Sequence, residues 1–397
     1  MLAAQAVSSS GSMMQSAALH WHLYELTRNP LALGMLGLFR VIPILLFSLL
    51  GGAIADSVDR RRILLVTQSV LACVAAGLYF TTVSRTIQAP IIYLFTFVSG
   101  AALAFDNPAR QSLLPNLVPR EHFSNAASLN SLAFRLSTIV GPALAGWLIA
   151  RGSLAMAYGL NAVSFIAMLA ALGSMFSLLP PHVRREDTRP SLRSLKEGLQ
   201  FVRSTPILVA TMLLDFVATF FSSADLLLPA IARDILHVGA QQYGLLASAQ
   251  AAGSLLVGVI LTARPPIVRQ GMTLVAAVLV YGAATALLGI SRWFILSWVL
   301  LACIGASDTV STVLRQTIRQ LVTPDHLRGR MVSVNMIFFM GGPQLGELEA
   351  GLVAKWLGVP FSIVSGGVVC ILAAAVVVQR MPWLVHYRLS SHNPQNS

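Results

Sequence analysis

The sequence predicts an all-α membrane protein of about twelve transmembrane helices, arranged as two pseudo-symmetric bundles of six. Three observations carry this. Of 397 residues, 56% are hydrophobic and 11% charged, with a mean hydropathy of +0.73, whereas a soluble domain carries about 25% charged residues. Apolar runs recur at a spacing of about 30 residues with no long polar domain between them. Several short motifs in the first half return in the second at a nearly constant offset.

A bilayer core about 30 Å thick takes about 20 helical residues at 1.5 Å each. Breaks at Pro, Gly and charged residues then delimit spans at 2–26, 31–54, 63–84, 88–108, 125–150 and 155–178 in the first half. The second half gives 206–232, 242–263, 271–291, 293–314, 331–355 and 360–380. The domain plan is a six-helix bundle over 1–178, a linker over 179–205, a second bundle over 206–380 and a tail over 381–397. The linker holds a Pro pair, the run Arg184-Arg185-Glu186-Asp187 and an amphipathic stretch at 191–202. It reads as a cytoplasmic connector ending in a surface helix. The polar end of the tail has the composition of a disordered segment. The first span starts at Met1 with no lead and a weakly apolar first half, as a late start or a truncation would leave it. No cleavable signal peptide is expected there, because no basic region precedes the apolar stretch.

The net charge of +12 has a topological explanation. Nineteen of the 27 Lys and Arg fall in loops joining even to odd spans, in the linker or in the tail, six fall in the opposite loops, and Arg40 and Arg135 lie within spans. The positive-inside rule therefore puts both termini in the cytoplasm, and no nucleic-acid partner is needed to account for the charge. Trp147, Trp293, Trp356 and Trp383 stand near span ends, where indole rings anchor at the interface. Cys73, Cys303 and Cys370 each lie in an apolar run without a CxxC or His-rich neighbourhood, so neither a disulfide framework nor a metal site is expected.

The internal repeat is explicit. Arg110-Gln111, Leu117-Val118, Glu121-His122, Asn130 and Gly141-Pro142 return as Arg315-Gln316, Leu321-Val322, Asp325-His326, Asn335 and Gly342-Pro343, at offsets of 201 to 205. A six-helix unit has been duplicated in parallel, as in one class of secondary transporter. Between spans two and three, the run from Gly52 through Asp56 and Asp59 to Arg60, Arg61 and Arg62 resembles the signature loop of the major facilitator superfamily, with Ser57 where a basic residue is usual and Asp59 where Gly is usual. The whole chain resembles the branch of bacterial enterobactin exporters and drug efflux proteins, through 56–62, 105–111 and 346–351. The resemblance implies that Asp56 latches onto the start of the eleventh helix, and that an arginine of the loop, Arg60 or Arg61, pairs with Asp106. The alternative is that these charges only set topology. On the fifth span, Ser137 to Gly146, with Gly141 and Pro142, partly matches the antiporter motif. Its small residues permit a close helix contact and a bend at Pro142, with or without a role in coupling.

Ionisable groups at membrane depth are costly and are functional candidates by default. At 1.5 Å per residue, Arg40 lies about 13 Å below the outer end of span two, and Glu347 and Glu349 lie about 9 to 12 Å below that of span eleven. In the resembling fold these two helices face each other, so Arg40 with Glu347 or Glu349 is expected to form an outer gate between the bundles. A spacing of two turns the glutamates to different faces. Asp215 and Arg135 fall near mid-depth, as a proton or cation site and an anion contact, respectively. Asp225, Asp308 and Glu25 are placed nearer span ends. His20 and His22 point to different faces, which argues against a metal pair.

No Gly-x-x-x-x-Gly-Lys-Ser/Thr loop and no catalytic triad spacing occurs, so an enzyme is not expected. With no nucleotide site, energy must come from a gradient, and the resemblance to exporters implies a monomeric, cofactor-free efflux protein of the bacterial inner membrane, exporting a small amphipathic drug or siderophore by proton antiport. An importer or a lipid or metabolite translocase on the same fold is the alternative. Fused at its C terminus to green fluorescent protein, the chain should fluoresce, and fused there to alkaline phosphatase it should be inactive. The opposite pair of outcomes would invert the predicted topology.

Overall fold

The computed structural model describes residues 2–57, 59–117, 122–174, 199–221, 224–265, 267–324 and 327–388. Among these residues no strand occurs. The long helices are α1 (Leu2–Thr27), α2 (Pro30–Ser57), α3 (Arg60–Val83), α4 (Ala89–Leu117), α5 (Phe123–Ala150), α6 (Leu154–Ser174), α7 (Pro206–Phe221), α8 (Ala240–Ala263), α9 (Gln270–Ile290), α10 (Phe294–Val322), α11 (Arg328–Leu357) and α12 (Val359–Arg380), and a single turn, α13 (Trp383–His386), follows. Among the described residues, ten helices are long and apolar enough to cross a membrane. α1 and α11 have the length but are more polar. The linker residues 179–198 and the tail beyond 388 lie outside the described residues.

Span boundaries agree with the sequence expectation within a few residues, except at α7, whose regular helix ends at Phe221 instead of 232, and at α4 and α10. The latter two run eight or nine residues further than the apolar runs at 88–108 and 293–314. The extensions, which hold Arg110 and Arg315, are amphipathic rather than apolar, so a hydropathy reading stops short of them. One consequence is that Asp308, placed near a span end in the sequence reading, is the central residue of α10.

α7 does not end in a regular helix. A 3-10 turn (Ala224–Leu227), one α turn (Leu228–Ala230) and a π turn (Ile231–Ile235) follow it. Pro229 supplies the reason, because it has no N–H to donate and its ring crowds the preceding turn. Leu236 N then donates to Ile231 O at 2.9 Å, and Val238 N to Ala232 O at 2.8 Å, closing the wide turn.

The chain forms two compact units: 1–189 with 225–248, and 190–224 with 249–397. In the first, α1 packs on α5 and α6, α2 on α4, and α3 on α4 and α6. Leu71, Ala75, Ala102 and Phe165 make one apolar cluster, and Ile63, Leu64, Ala109, Met168 and Leu172 another. In the second unit, α7 packs on α11 and α12, and α9 on α10 and α12. α13 returns to α9, where Gly271 N donates to Tyr387 O at 3.0 Å. Large apolar side chains such as Val66, Phe80, Ile166, Leu256 and Ile290 are exposed, as hydrocarbon-facing positions of a membrane bundle should be.

Each unit repeats one close crossing. A Cβ on Gly100 of α4 would stand 2.7 Å from the Arg40 carbonyl of α2, and one on Gly305 of α10 would overlap the Gln250 carbonyl of α8. Gly100 and Gly305 share the 205-residue offset of Arg110 and Arg315. Gly305→Leu is expected to lower stability by about 1–3 kcal/mol through overpacking. Gly258→Ala, at an open position in mid-helix, is expected to raise it by about 0.5–1 kcal/mol. Thermal unfolding of the detergent-solubilised variants measures both.

Candidate functional site

Buried charge inside the helices is concentrated where the two extended helices meet their neighbours. In the first unit, Asp106 of α4 is 2% exposed. Thr67 Oγ1 and Gln68 Nε2 of α3 donate to its Oδ1 at 2.8 and 2.7 Å, and Arg110 binds its Oδ2 through Nε at 2.9 Å and Nη2 at 2.8 Å. The remaining Arg110 Nη1 donates to Gln5 Oε1 on α1. A carboxylate with this many donors is fully satisfied without water. Asp106 is thus ion-paired with the arginine one turn further along its own helix.

The signature loop itself is a helix cap. Asp59 precedes α3 and its carboxylate accepts from Arg61 N at 3.0 Å, occupying one of the open donors of that terminus. Asp59, which stands where the family pattern has Gly, is thus the N-cap of α3. Arg61 is half-buried and Arg62 exposed. Gly52 and Asp56 lie in the last turns of α2 and Arg60 opens α3, but their side chains lie outside the described ones.

The second unit contains the corresponding arginine in a different setting. Arg315 of α10 is 3% exposed and Asp215 of α7 is 7% exposed. Arg315 Nη2 meets Asp215 Oδ1 at 2.8 Å and Asp308 Oδ1 at 3.8 Å. It also donates to Thr312 Oγ1 at 3.0 Å, while Nη1 donates to Ser311 Oγ at 2.6 Å. Arg319, one turn further, is buried as well. The side chain of Asp308 is 43% exposed. A half-exposed carboxylate at mid-helix is costly against hydrocarbon and is a functional candidate by default. Two acids and one arginine thus form a graded site, with Asp215 sealed, Asp308 open and Arg315 reaching both.

α5 carries the small-residue motif. A Cβ on Gly141 would stand 2.6 Å from Met13 Cβ and 2.8 Å from Ser10 O on α1, and one on Gly146 would stand 2.6 Å from Ala240 O and 2.7 Å from Gly244 Cα at the start of α8. Ser137, in place of a motif glycine, donates to Ala6 O at 3.1 Å and accepts from Ser10 Oγ at 3.0 Å. α5 continues through Pro142. The motif is thus a packing face for α1 and α8.

The stretch 225–248 is fixed to α1 by polar contacts. Tyr24 OH donates to Asp234 Oδ2, Arg28 stands 4.0 Å from Asp234, and Arg233 Nη1 donates to Glu25 at 2.8 Å. Tyr243 OH donates to Ala17 O at 2.9 Å, and its ring lies 5.0 Å from that of Trp21. A cavity of about 520 Å³ opens between Trp21, Glu25, Arg233 and His237.

Of the remaining sequence candidates, Arg40 is exposed on α2 and Arg135 exposed on α5, in the first unit. Glu347 and Glu349 are half-buried on α11, in the second. Asp308 stands among the sequence candidates, whereas Arg315 does not, because the apolar run at 293–314 stops one residue before it. Its alignment with Arg110 in the repeat was the available signal, since a guanidinium kept at one register in both halves calls for a buried partner. Removing either partner of the Asp215 and Arg315 pair leaves an uncompensated buried charge, which typically costs about 3–5 kcal/mol. Arg315→Met is expected to lose that much stability, and combining it with Asp215→Asn should recover most of the loss in a double-mutant cycle.

A protein-family model described as Transmembrane secretion effector matches residues 1–395. Curated relatives include the enterobactin exporter EntS of Escherichia coli O1:K1, 29% identical over 319 residues that cover 80% of this chain and 76% of the relative. The enterobactin exporter EntS of Citrobacter koseri is 28% identical over the same shares. Among solved structures, a bacterial homologue of the human lysosomal transporter Spinster, inward-facing and unoccupied, superposes with a TM-score of 0.75 at 14% identity, covering 98% of both chains. A bacterial homologue of the iron transporter ferroportin, inward-facing, gives 0.72 at 16% identity, over 95% of this chain and 97% of that one.

Proposed function

We propose that this chain, which belongs to the transmembrane secretion effector family of major facilitator transporters, exports a small amphipathic solute, drug-like or siderophore-like, by proton antiport. That it is a multi-pass secondary transporter and not an enzyme follows from the family. The export direction and the solute class are supported by the relatives named enterobactin exporters. The observation that carries proton coupling is the graded site of Asp215, Arg315 and Asp308. A proton bound by one carboxylate frees the guanidinium for the other, so occupancy by a proton and the position of Arg315 are linked.

In this reading the bundles over 1–178 and 206–380 alternate access to a central path in the inner membrane of a bacterium, with both termini cytoplasmic and the protein a monomer. Arg40 pairs with Glu347 or Glu349 to close the outer side. Asp56, with Gly52, Arg60 and Arg61 of the signature loop and Asp106 behind it, latches the inner side. Arg135, exposed at mid-helix, offers a cationic contact to the solute. The motif of Gly141, Pro142 and Gly146 is the bearing on which α5 moves against its neighbours.

The test is collapse of a preset pH gradient in inside-out vesicles on adding ethidium, erythromycin or enterobactin. One of the three should collapse the gradient with the wild-type protein and fail to do so with Asp215→Asn. An unresponsive gradient with well-folded protein, together with uptake of the same solute into whole cells, would favour an importer on this fold.

A further inference from the structure

The duplicated arginines solve the same problem with different chemistry. Arg110 and Arg315 occupy one register of the repeat, seven residues before the ends of α4 and α10. Four residues before Arg110 stands Asp106, which neutralises it within α4. At the same place before Arg315 stands Ser311, which gives only a neutral hydrogen bond at 2.6 Å. The charge of Arg315 is met instead from the first helix of its own repeat, by Asp215 of α7. In the first half the equivalent tie, from Arg110 to Gln5 of α1, ends on an amide.

We infer that the two halves divide the labour of coupling: the ionic tie between α7 and α10, through Asp215 and Arg315, is the proton-sensitive linkage that moves α7, while the amide tie between α1 and α4 is a fixed brace. The inference rests on the antiport reading and goes beyond it by naming which helix pair responds, and why only one does. A bond from guanidinium to amide keeps its strength whether or not a proton is delivered, because neither partner exchanges one near neutral pH. A bond from guanidinium to carboxylate loses its ionic character when the carboxylate takes a proton.

The charged groups that the structure brings to Arg315 include Asp215 from α7, and Asp308 and Arg319 from its own helix. With all four ionised the cluster is neutral, and a proton on either acid leaves it one positive charge in excess. Arg315 then has two destinations. With Asp215 ionised it holds α7 to α10. With Asp215 protonated, Asp308 on α10 is the remaining carboxylate, and the tie to α7 is released. Asp215 and Arg315 are therefore positioning residues for the helix movement, and Asp308 is the internal receiver that makes release affordable in a buried place.

Ser311→Asp tests this, because it recreates in α10 the arrangement of α4. In the Ser311→Asp/Asp215→Asn double variant the new carboxylate, one turn away on the same helix, neutralises Arg315 without involving α7. The expected result is a melting temperature within a few degrees of wild type and gradient collapse below one tenth of wild type, for whichever of ethidium, erythromycin and enterobactin the wild type answers. Recovery of half or more of wild-type collapse by this variant would overturn the inference, since Asp215 would then be no more than a counter-charge. Should the double variant fail to fold, Asp215→Glu decides. It preserves the tie and is expected to retain at least a third of wild-type collapse, and a folded Asp215→Glu protein as inactive as Asp215→Asn overturns the inference equally. Failure of the antiport reading looks different, because the wild type itself then collapses no gradient.

Discussion

A bilayer offers no water to a polar group that has lost its partner, and this one constraint organises the molecule. Apolar faces need little explanation in such a medium, since hydrocarbon outside and side chains inside are nearly equivalent. What must be placed with care are the exceptions. α1 is the most instructive, for it carries serines, glutamines and histidines along most of its length. Gln15 accepts from Asn161 Nδ2 at 2.8 Å, His22 Nδ1 lies 3.1 Å from Tyr158 OH, and Ser10 meets Ser137. Each bond fixes α1 against α5 or α6, so polarity here supplies the positional information that a uniformly oily helix would lack.

The same constraint gives meaning to the inequality between the repeats. Duplication copies a scaffold of helix crossings, and Gly100 with Gly305 shows the copy still in register. Buried charge is less easily copied, because each ion needs its counter-ion at a defined place. One half keeps acid and base within a single helix and is internally neutral there. The other sets Asp215 of α7 and Asp308 of α10 about one arginine, so part of its charge pairing runs between two helices. Pseudo-symmetry lets one half of a duplicated scaffold differ in its charge pairing while both keep the same helix crossings.

Most of the fold was legible in the sequence. Helix number, order and approximate ends follow from hydropathy and turn residues, because crossing a membrane is a requirement of length and composition that each helix satisfies alone. The candidate site was legible in part. Asp215 stood out because a lone aspartate in an apolar run is conspicuous, whereas Arg315 hid in the amphipathic end of α10, which looks like the beginning of a loop. The pairing of Asp106 with Arg110 was also obscured, since the family pattern directs attention to the loop arginines and the apolar run ends before Arg110. Pairings across helices depend on rotation about each axis, and a single sequence leaves that rotation free.

The polarity of α1 also bears on how the protein is made. Among the described residues, α1 falls short of the apolar content of the ten helices able to cross a membrane on composition alone. Its compensating partners, Ser137, Tyr158, Asn161 and Tyr243, are all synthesised more than a hundred residues later. α1 is therefore made before the groups that satisfy its polar side chains. The packing that satisfies the polar side chains of α1 is complete only when α5, α6 and the start of α8 are present to receive it.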